Sequence, residues 1–378
     1  MPSNKNLRSW LALHLIPGMG PVTCHKLAVH FGGPDKVLGA SISDLKTVCP
    51  LRRESLAALA DTGRQSILAL AEEEIRQAAD KGATIISFDD PLYPALLQNI
   101  HDPPPVLYVF GNPEILNCKG IGMVGSRAAT HYGRSIARKM ANSLARQGFT
   151  IISGMALGID TAAHMGALEA EGITIAVLGC GLDTVYPPSN QELYKEIGAA
   201  GAVVSEYPLG TLPDNFRFPA RNRIISGLSL GVVVVEAANR SGSLITASHA
   251  LEQGREVFAV PGRIDSVKSA GTHNLLQQGA KLVHSIDDIV EEFSRLNPFE
   301  KKAFLQDNQE QKHPVQLNME EAALFACLDV YPQTIDELVR ESGFTPQKTN
   351  ELLLLLELKG FVESLPGMSF QKSSANAT

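Results

Sequence analysis

Between about residues 84 and 295, short β-branched apolar runs alternate with stretches of helical periodicity, and this alternation limits the fold more than any other feature. The runs that predict buried strands are Ile121–Val124, Thr150–Ser153, Thr174–Leu178, Ala202–Ser205, Val232–Val235 and Glu256–Ala259. The helical stretches between them include Tyr132–Gln147, Thr161–Glu171 and Ser243–Gln253. This alternation predicts an α/β fold with a doubly wound, mostly parallel sheet. Ligands of such sheets bind beyond the carboxyl ends of the strands, so the loops that leave the strands are the candidate functional segments.

The alternating region is flanked by parts of a different pattern. The sequence predicts a helical domain at 1–80, the sheet domain at 81–296, a polar linker at 297–317 and a small unit at 318–372. In the small unit, the predicted elements are the helices Glu320–Leu328, Ile335–Ser342 and Pro346–Lys359 and a hairpin at Phe361–Phe370, with Thr345 as an N-cap and Gly360 after a helix end. Three helices followed by a hairpin are typical of a winged helix.

Composition restricts the environment and the class of protein. With 44% apolar and 19% charged residues, the chain resembles soluble globular proteins, and no apolar run approaches the roughly 20 residues that span a bilayer. Its five cysteines include no CxxC pair, which favours a reducing, cytoplasmic location and argues against a bound metal. The net charge of −7 argues against a surface coated with nucleic acid, yet Leu212–Arg263 holds six arginines against four acidic residues.

Two strand-to-helix turns are rich in glycine and small residues. Gly125, Ser126 and Arg127 follow one predicted strand, and Ser153 and Gly154 follow the next. Glycine lets a phosphate approach the backbone, the free amides of a helix start attract anions, and an arginine adds a bidentate phosphate ligand. GxGxxG is absent, and the second strand ends in Ser153-Gly154 with no acidic residue there to hold a ribose, so a nicotinamide dinucleotide is only a minor alternative.

Asp160 and His164 lie four residues apart near the start of the next predicted helix, and more than one role is open to them. Asp160 is placed to cap the helix with its carboxylate. The two side chains share a helix face, so they could form a general base pair or, more commonly, a buried hydrogen-bonded pair.

A basic segment from Phe216 to Ser226 combines arginines with aromatic residues. The DNA-binding residues predicted in it are Arg217, Phe218, Arg221, Asn222 and Arg223. Cations neutralise phosphates while aromatic faces stack on unpaired bases, a combination that binds single strands without sequence preference. A further group, Ser241, Gly242 and Ser243, follows a strand and offers backbone amides to an anion, although Ser243 could simply be a helix N-cap.

Several motifs in this order resemble the DNA-processing protein A family, also called DprA or Smf. They are VGSR-x-x-T-x-x-G at 124–133, SGMALGIDTAAH at 153–164, GCGLDTVYP at 179–187, FPARNRIIS at 218–226, and SGSLITASHA with GREVFAVPG at 241–262. The similarity extends from about Tyr93 to Val283. Because several long motifs in one order are hard to obtain by chance, the resemblance is specific.

The resemblance implies a Rossmann-like protein that binds single-stranded DNA and is not an enzyme. Such proteins protect incoming DNA during natural transformation and load the recombinase RecA onto it, and they are usually homodimers through the sheet domain. The family's DNA contacts carried over to this sequence are Gly125, Ser126, Arg127, Ser153, Gly154, Phe218, Arg221 and Arg223. The resemblance calls for no cofactor and no membrane contact.

The resemblance also covers the ends of the chain. Leu13–Pro21 resembles a helix–hairpin–helix, in a region where the family carries a sterile-alpha-motif-like domain. The third helix of the winged helix contains five consecutive leucines, Leu352–Leu356, and its two lysines are offset by two glutamates. We expect a packing or partner surface there rather than a helix that reads the major groove, and contact with duplex DNA stays open.

Two other classes of function fit parts of the sequence. A nucleotide N-glycoside hydrolase of the lysine-decarboxylase-like family has a similar sheet, but it needs carboxylates near the phosphate loop, where Ile245 and Thr246 stand here. The third class is a scaffold for which DNA binding is incidental.

Overall fold

The structure is a computed structural model that describes residues 6–296, 317–329, 332–365 and 368–372. The chain folds into two compact units, Met1–Phe304 and Leu305–Thr378. Of the predicted linker, 297–316 lies outside the described residues, whereas Leu317 packs on the core of the second unit. In the described part of the chain, no helix combines the length and the apolar character that crossing a membrane requires.

The first unit begins with helices and continues as strands and helices in alternation. Its α-helices are α1 (Leu7–Leu15), α2 (Pro21–Phe31), α3 (Pro34–Gly39), α4 (Ile42–Val48), α5 (Arg53–Ala58), α6 (Asp61–Asp80), α7 (Ala95–Gln98), α8 (His131–Arg146), α9 (Ile159–Glu169), α10 (Gln191–Ala200), α11 (Arg217–Gly227), α12 (Gly242–Glu252), α13 (Ala270–Gln277) and α14 (Asp287–Leu296). Its strands are β1 (Ala83–Ser87), β2 (Val106–Gly111), β3 (Gly120–Val124), β4 (Thr150–Ser153), β5 (Thr174–Leu178), β6 (Ala202–Ser205), β7 (Gly231–Val234), β8 (Glu256–Ala259) and β9 (Lys281–Leu282). The strands predicted between 121 and 259 are all present, with bounds that agree to within one residue.

These strands form one sheet in the order β1-β2-β6-β5-β4-β3-β7-β8-β9. Every neighbouring pair from β6 to β9 is parallel, whereas β2 pairs antiparallel with both β1 and β6. The predicted α/β fold with a doubly wound, mostly parallel sheet is therefore confirmed. The strand order reverses between β3 and β7, and an open α/β sheet binds its ligand beyond such a switch point.

The N-terminal helices pack directly on the sheet. Leu11 and Leu13 of α1 lie in one buried cluster with Tyr108 of β2 and Leu178 of β5. The predicted N-terminal helical region is present, and because it shares its core with the sheet, its separation as a domain at residue 80 stays a prediction.

Gly158 determines where α9 begins. The residue has a φ of +84°, and a Cβ there would collide with the carbonyl oxygen of Ser126. The helix begins one residue later, so the prediction that Asp160 is the N-cap is wrong, and Asp160 lies in the first turn instead. The N-cap of α12 is Ser241 rather than Ser243.

The second unit is a winged helix, as predicted. Its elements are α15 (Met319–Cys327), β10 (Gln333–Thr334), α16 (Ile335–Ser342), α17 (Pro346–Leu358), β11 (Val362–Leu365) and β12 (Ser369–Lys372), with the sheet order β10-β12-β11. Thr345 caps α17, as predicted, by accepting a hydrogen bond from a backbone N–H of the first turn. Of the five consecutive leucines, Leu352, Leu353 and Leu356 lie in the buried core, whereas Leu354 is exposed.

Replacing Gly158 with alanine is expected to destabilise the first unit by at least about 2 kcal/mol, because the new Cβ strains a positive-φ residue and displaces the Ser126 carbonyl. The matched control is Gly242→Ala, since a Cβ at that position meets no atom within 4 Å. Urea unfolding of the full chain measures the stability of both variants. Equal midpoints for the two variants would contradict this explanation of the turn.

Candidate nucleic-acid interface

A cleft of about 530 Å³ opens at the carboxyl edge of the sheet, where the strand order reverses. The β3–α8 loop, the β4–α9 loop, α11 and the β7–α12 loop contribute its walls. The predicted site residues that line the cleft are Gly125, Ser126, Arg127, Phe218, Arg221, Asn222, Ser241, Gly242 and Ser243. Segments up to about 120 residues apart in the chain thus meet at the place that the sheet topology favours.

Three arginines supply the positive charge of the cleft. Arg127 and Arg240 are exposed, whereas Arg221 is only 4% exposed. Asp160 is the acidic residue among the described residues that line the cleft, so cationic groups outnumber anionic ones there. Arg240 is absent from the sequence-based prediction, although its position directly before Ser241 in a strand-to-helix loop is the signal that identifies it.

Arg221 is held by the turn between β4 and α9. Its Nη1 donates to the carbonyl oxygen of Gly154 at 3.0 Å, and its Nε donates to Oδ1 of Asn222 at 3.2 Å. A Cβ on Gly154 would lie 2.6 Å from Arg221 Nη2 and 2.8 Å from Asp160 Oδ2, so glycine is required where these two groups approach the turn. Burial lowers the pKa of Arg221 to about 10, and the side chain therefore stays cationic at neutral pH.

Asp160 is buried against the same turn. Its Oδ2 accepts a hydrogen bond from the backbone N–H of Ala156 at 3.4 Å. Burial raises the pKa of Asp160 to about 6, although the positive charge of Arg221 and the N–H groups of Ala156 and Gly154 act in the opposite direction. Protonation of this carboxylate near pH 6 therefore increases the net positive charge of the cleft.

A carboxylate of the protein itself binds the start of α8, so the prediction of an open anion site at this turn is wrong. The buried carboxylate of Glu236 accepts hydrogen bonds from the hydroxyl of Thr130, the N-cap of α8, and from its backbone N–H at 2.9 Å. The N–H of Ser126 donates to the carbonyl oxygen of Glu236 at 2.8 Å. The charged group that this turn offers to the cleft is therefore the side chain of Arg127.

The start of α12 faces the cleft. Ser241 caps the helix by accepting a hydrogen bond from the N–H of Ser243 at 3.4 Å, and the two hydroxyl oxygens lie 2.7 Å apart. Gly242 is exposed, with open space where a Cβ would stand. The positive end of the helix dipole thus adds to the charge of the neighbouring Arg240.

Phe218 and Tyr186 form an aromatic pair beside the cleft. Their ring centroids are 5.4 Å apart and their planes are inclined by 27°, and the guanidinium carbon of Arg127 lies 5.2 Å from the Phe218 centroid. The pair borders a smaller pocket of about 60 Å³, which Gly154 and Arg221 also line. Tyr186 is 40% exposed, whereas Phe218 is half-buried. Tyr186 is absent from the predicted site, although it belongs to the GCGLDTVYP motif.

Comparison with known proteins identifies the family. The family model described as DNA recombination-mediator protein A matches residues 84–294, and the DprA winged helix domain matches residues 309–368. The chain belongs to the DprA family.

Relatives and solved structures agree with this assignment. The chain is 33% identical to protein Smf of Synechocystis over 98% of this chain and 100% of that protein, and 50% identical to DNA processing protein DprA of Streptococcus pneumoniae over 54% and 72% of the two chains. The X-ray structure of S. pneumoniae DprA superposes with a TM-score of 0.65 at 38% identity, covering 75% of this chain and 95% of that chain. Helicobacter pylori DprA, whose structure is described as giving insights into its unique single-stranded DNA binding mode, has a TM-score of 0.52 at 31% identity and covers 56% of this chain and 96% of its own.

Arg223 does not face the cleft of this DprA protein. Its side chain is 7% exposed, its Nε lies 3.0 Å from Oδ2 of Asp102, and its Nη2 lies 2.5 Å from Oε2 of Glu206. The sequence-based assignment of Arg223 to the interface is corrected, because an internal ion-pair network occupies its guanidinium group.

Ser153 and Arg217 also lie outside the lining of the cleft. Ser153 is fully buried, and its hydroxyl donates to the carbonyl oxygen of Met123 at 2.6 Å, which joins β4 to β3. Arg217 donates to the carbonyl oxygen of Leu212 at 2.5 Å, and its guanidinium carbon lies 4.9 Å from the ring centroid of Phe216. Ser153 therefore has a structural position, and Arg217 belongs to the surface at the start of α11.

His164 pairs with a threonine rather than with Asp160. Its Nδ1 lies 2.7 Å from Oγ1 of Thr174, and burial lowers the pKa of His164 to about 3. Both sequence-based interpretations of an Asp160–His164 pair, as a general base pair and as a buried hydrogen-bonded pair, are therefore wrong.

Replacing Arg223 with alanine is expected to destabilise the first unit by about 3–5 kcal/mol, because Asp102 and the buried Glu206 then lack their cationic partner. Chemical unfolding at neutral pH measures the effect. Arg76→Ala, which removes an arginine from exposed ion pairs on α6, is the matched control and should leave the midpoint nearly unchanged. Wild-type stability in the Arg223 variant would contradict the assigned network.

The stability difference between the wild type and Asp160→Asn is expected to depend on pH. Because the folded pKa of about 6 lies above the unfolded value near 3.8, the native state retains a proton that the unfolded state loses. The titration of Asp160 therefore stabilises the fold below about pH 4, and this contribution is lost as the pH rises through 6. Between pH 4 and 7.5, the free energy of unfolding of the asparagine variant should rise relative to that of the wild type by about 1–3 kcal/mol, as measured by urea unfolding. A constant difference across this range would argue against the buried carboxylate.

Proposed function

We propose that the cleft binds single-stranded DNA and that this protein is a recombination mediator, which protects incoming DNA in natural transformation and loads RecA onto it. The observation that carries the proposal is that three arginines, Arg127, Arg221 and Arg240, line one cleft at the switch point of the sheet together with Phe218. Phe218 stacks on Tyr186 at the border of the adjoining smaller pocket. Membership of the DprA family supports the same function, as does the single-stranded DNA binding described for the H. pylori relative.

The arginines account for affinity to the sugar–phosphate backbone. Arg127 and Arg240 are exposed on the β3–α8 and β7–α12 loops, which follow the two strands at the switch point, and Arg221 lies between the walls that these loops form. A strand in the cleft contacts all three cations. Since phosphates are common to all sequences, binding depends strongly on salt and weakly on sequence.

The aromatic pair accounts for a preference for single strands. A base must leave its partner before it can stack on the exposed part of Tyr186, and each stacked base contributes about 1–3 kcal/mol. The ring of Phe218 supports Tyr186 from within, because the two rings are already stacked.

The remaining parts of the proposal concern assembly and location. We propose that the protein is a homodimer, as the resemblance to the family implies, and that it lies in the cytoplasm, as its cysteine content indicates. All five cysteines are free thiols, as a reducing compartment requires.

The alternative of a nucleotide N-glycoside hydrolase is not favoured. Such a reaction needs a carboxylate that exchanges protons with the substrate. Asp160, the acidic residue of the described cleft lining, is buried beside Arg221 and accepts a backbone hydrogen bond. Incubation with nucleoside monophosphates should accordingly release no free base.

The variants Arg127→Ala and Arg240→Ala are each expected to weaken binding of a short oligothymidylate by about fivefold at low salt, because each removes one exposed cation that neutralises a phosphate. The slope of log K against log salt concentration should fall in magnitude by about 0.7 for each phosphate that the variant no longer neutralises. Fluorescence anisotropy over a salt series measures both quantities, with duplex DNA and nucleotides as competitors.

Arg76→Ala removes the same charge at a residue that does not line the cleft, and it should leave the affinity and the slope unchanged. If Arg127→Ala and Arg240→Ala both bind like the wild type, the cleft is not the DNA site. RecA loading is tested by the rate of RecA assembly on single strands coated with single-strand-binding protein, which the wild type should raise and the Arg127/Arg240 double variant should not.

A further inference from the structure

The outer face of the third winged-helix helix has the chemistry of a protein-docking surface. Gln347, Glu351, Leu354 and Leu358 are exposed on α17 at spacings of four, three and four residues, which places them on one stripe of the helix. Leu354 is 57% exposed and Leu358 is 77% exposed, whereas three other leucines of the helix are buried in the core, Leu352, Leu353 and Leu356. A helix of this fold that reads DNA would present cations and hydrogen-bonding groups on this stripe.

Three of the four cations in residues 317–372 of this unit, all lysines, contact its own side chains, and the fourth, Arg340 of α16, donates to the backbone carbonyl of Asp336 at 3.2 Å. Lys348 contacts the carboxylates of Glu320 at 2.9 Å and Glu351 at 3.7 Å, and Lys359 contacts Glu321 at 2.6 Å. The ammonium group of Lys372 lies 5.0 Å from the ring centroid of Phe325. Phosphate binding by α17 would therefore require breaking ion pairs that the unit already makes.

The net charge of the unit also has the wrong sign for binding a polyanion. Residues 317–372 hold four basic and nine acidic side chains, a formal net charge of −5. This acidity repels nucleic acid and attracts a cationic partner over distances of about a Debye length, roughly 8 Å at physiological salt.

From this stripe and this charge we propose that α17 docks a basic amphipathic helix of another protein, with apolar side chains against Leu354 and Leu358 and lysines or arginines towards Glu351 and its acidic neighbours. Helices pack in this way when apolar positions recur every three or four residues and flanking charges select the partner. A second copy of the same surface is disfavoured because it would place Glu351 and the other acidic groups of the unit against one another.

The test uses the full chain and two labelled synthetic helical peptides with leucines at positions i, i+4 and i+7. One peptide has lysine at the flanking positions, and the other has glutamate there. We expect the lysine peptide to bind with micromolar affinity that falls as salt is added, and the glutamate peptide to show at least tenfold weaker binding.

The variant Leu354→Gln/Leu358→Gln should lose at least tenfold in affinity for the lysine peptide, since it keeps a good helix former and removes only the apolar side chains. The matched control is Leu251→Gln, which changes a leucine that is 59% exposed on α12. Glu351→Lys should weaken the lysine peptide and strengthen the glutamate peptide. Thermal unfolding verifies that the variants fold.

Three results would overturn the proposal: equal lysine-peptide binding by the wild type and the leucine double variant, no discrimination between the peptides, or self-association of the wild type that depends on Leu354 and Leu358. A loss of duplex DNA binding in the double variant would also overturn it and favour nucleic acid as the occupant. Single-strand binding by the cleft should be the same in all these variants, so this test fails or succeeds separately from the proposed function.

Discussion

The placement of Arg221 beside Asp160 against the Gly154 turn is the constraint on which the cleft depends. It brings a cation into a buried position at the carboxyl edge of the sheet, with a carbonyl oxygen and a partly compensating carboxylate beside it. On another side of α11, Arg223 is fixed by Asp102 and Glu206. The helix is thus held by charged contacts in two directions, and its residues Asn222 and Phe218 line the cleft.

Internal carboxylates decide which of the positive groups can meet a ligand. Glu236 accepts hydrogen bonds at the start of α8, and Asp102 and Glu206 form ion pairs with Arg223. The start of α8 and Arg223, which the sequence predicts to bind anions, are therefore already bound to carboxylates of the protein itself. The exposed cations that remain, Arg127 and Arg240, lie on the loops that follow the adjacent strands β3 and β7. A chain with a net charge of −7 therefore still presents more cationic than anionic groups in the cleft at the topological switch point.

The sheet and the position of the cleft could be predicted from sequence because both follow from local patterns. The β-branched runs set the strands from β3 to β8, and the rule that ligands bind beyond strand ends selected the loops at Gly125 and Ser241. The side chain of Arg223 could not be placed from local pattern, because its partners Asp102 and Glu206 are distant in the chain and are brought together only by the fold.

If 217–227 is read as a helix, Arg221 and Arg223 fall on different faces of it. Arg223 is two residues beyond Arg221, which is about 200° around a helix, so the two point in different directions. The N-cap of α9 was misplaced for a different reason. The turn depends on the close approach of Gly158 to the Ser126 carbonyl, a contact between segments that no local propensity encodes.

The most direct test of a single strand in the cleft is photocrosslinking to an oligonucleotide that contains 5-iodouracil, followed by mapping of the modified peptides by mass spectrometry. We predict adducts in the two segments 185–187 and 215–222, which carry the aromatic acceptors Tyr186, Phe216 and Phe218. Adducts confined to α1–α6 or to the winged helix, with none in those segments, would contradict it.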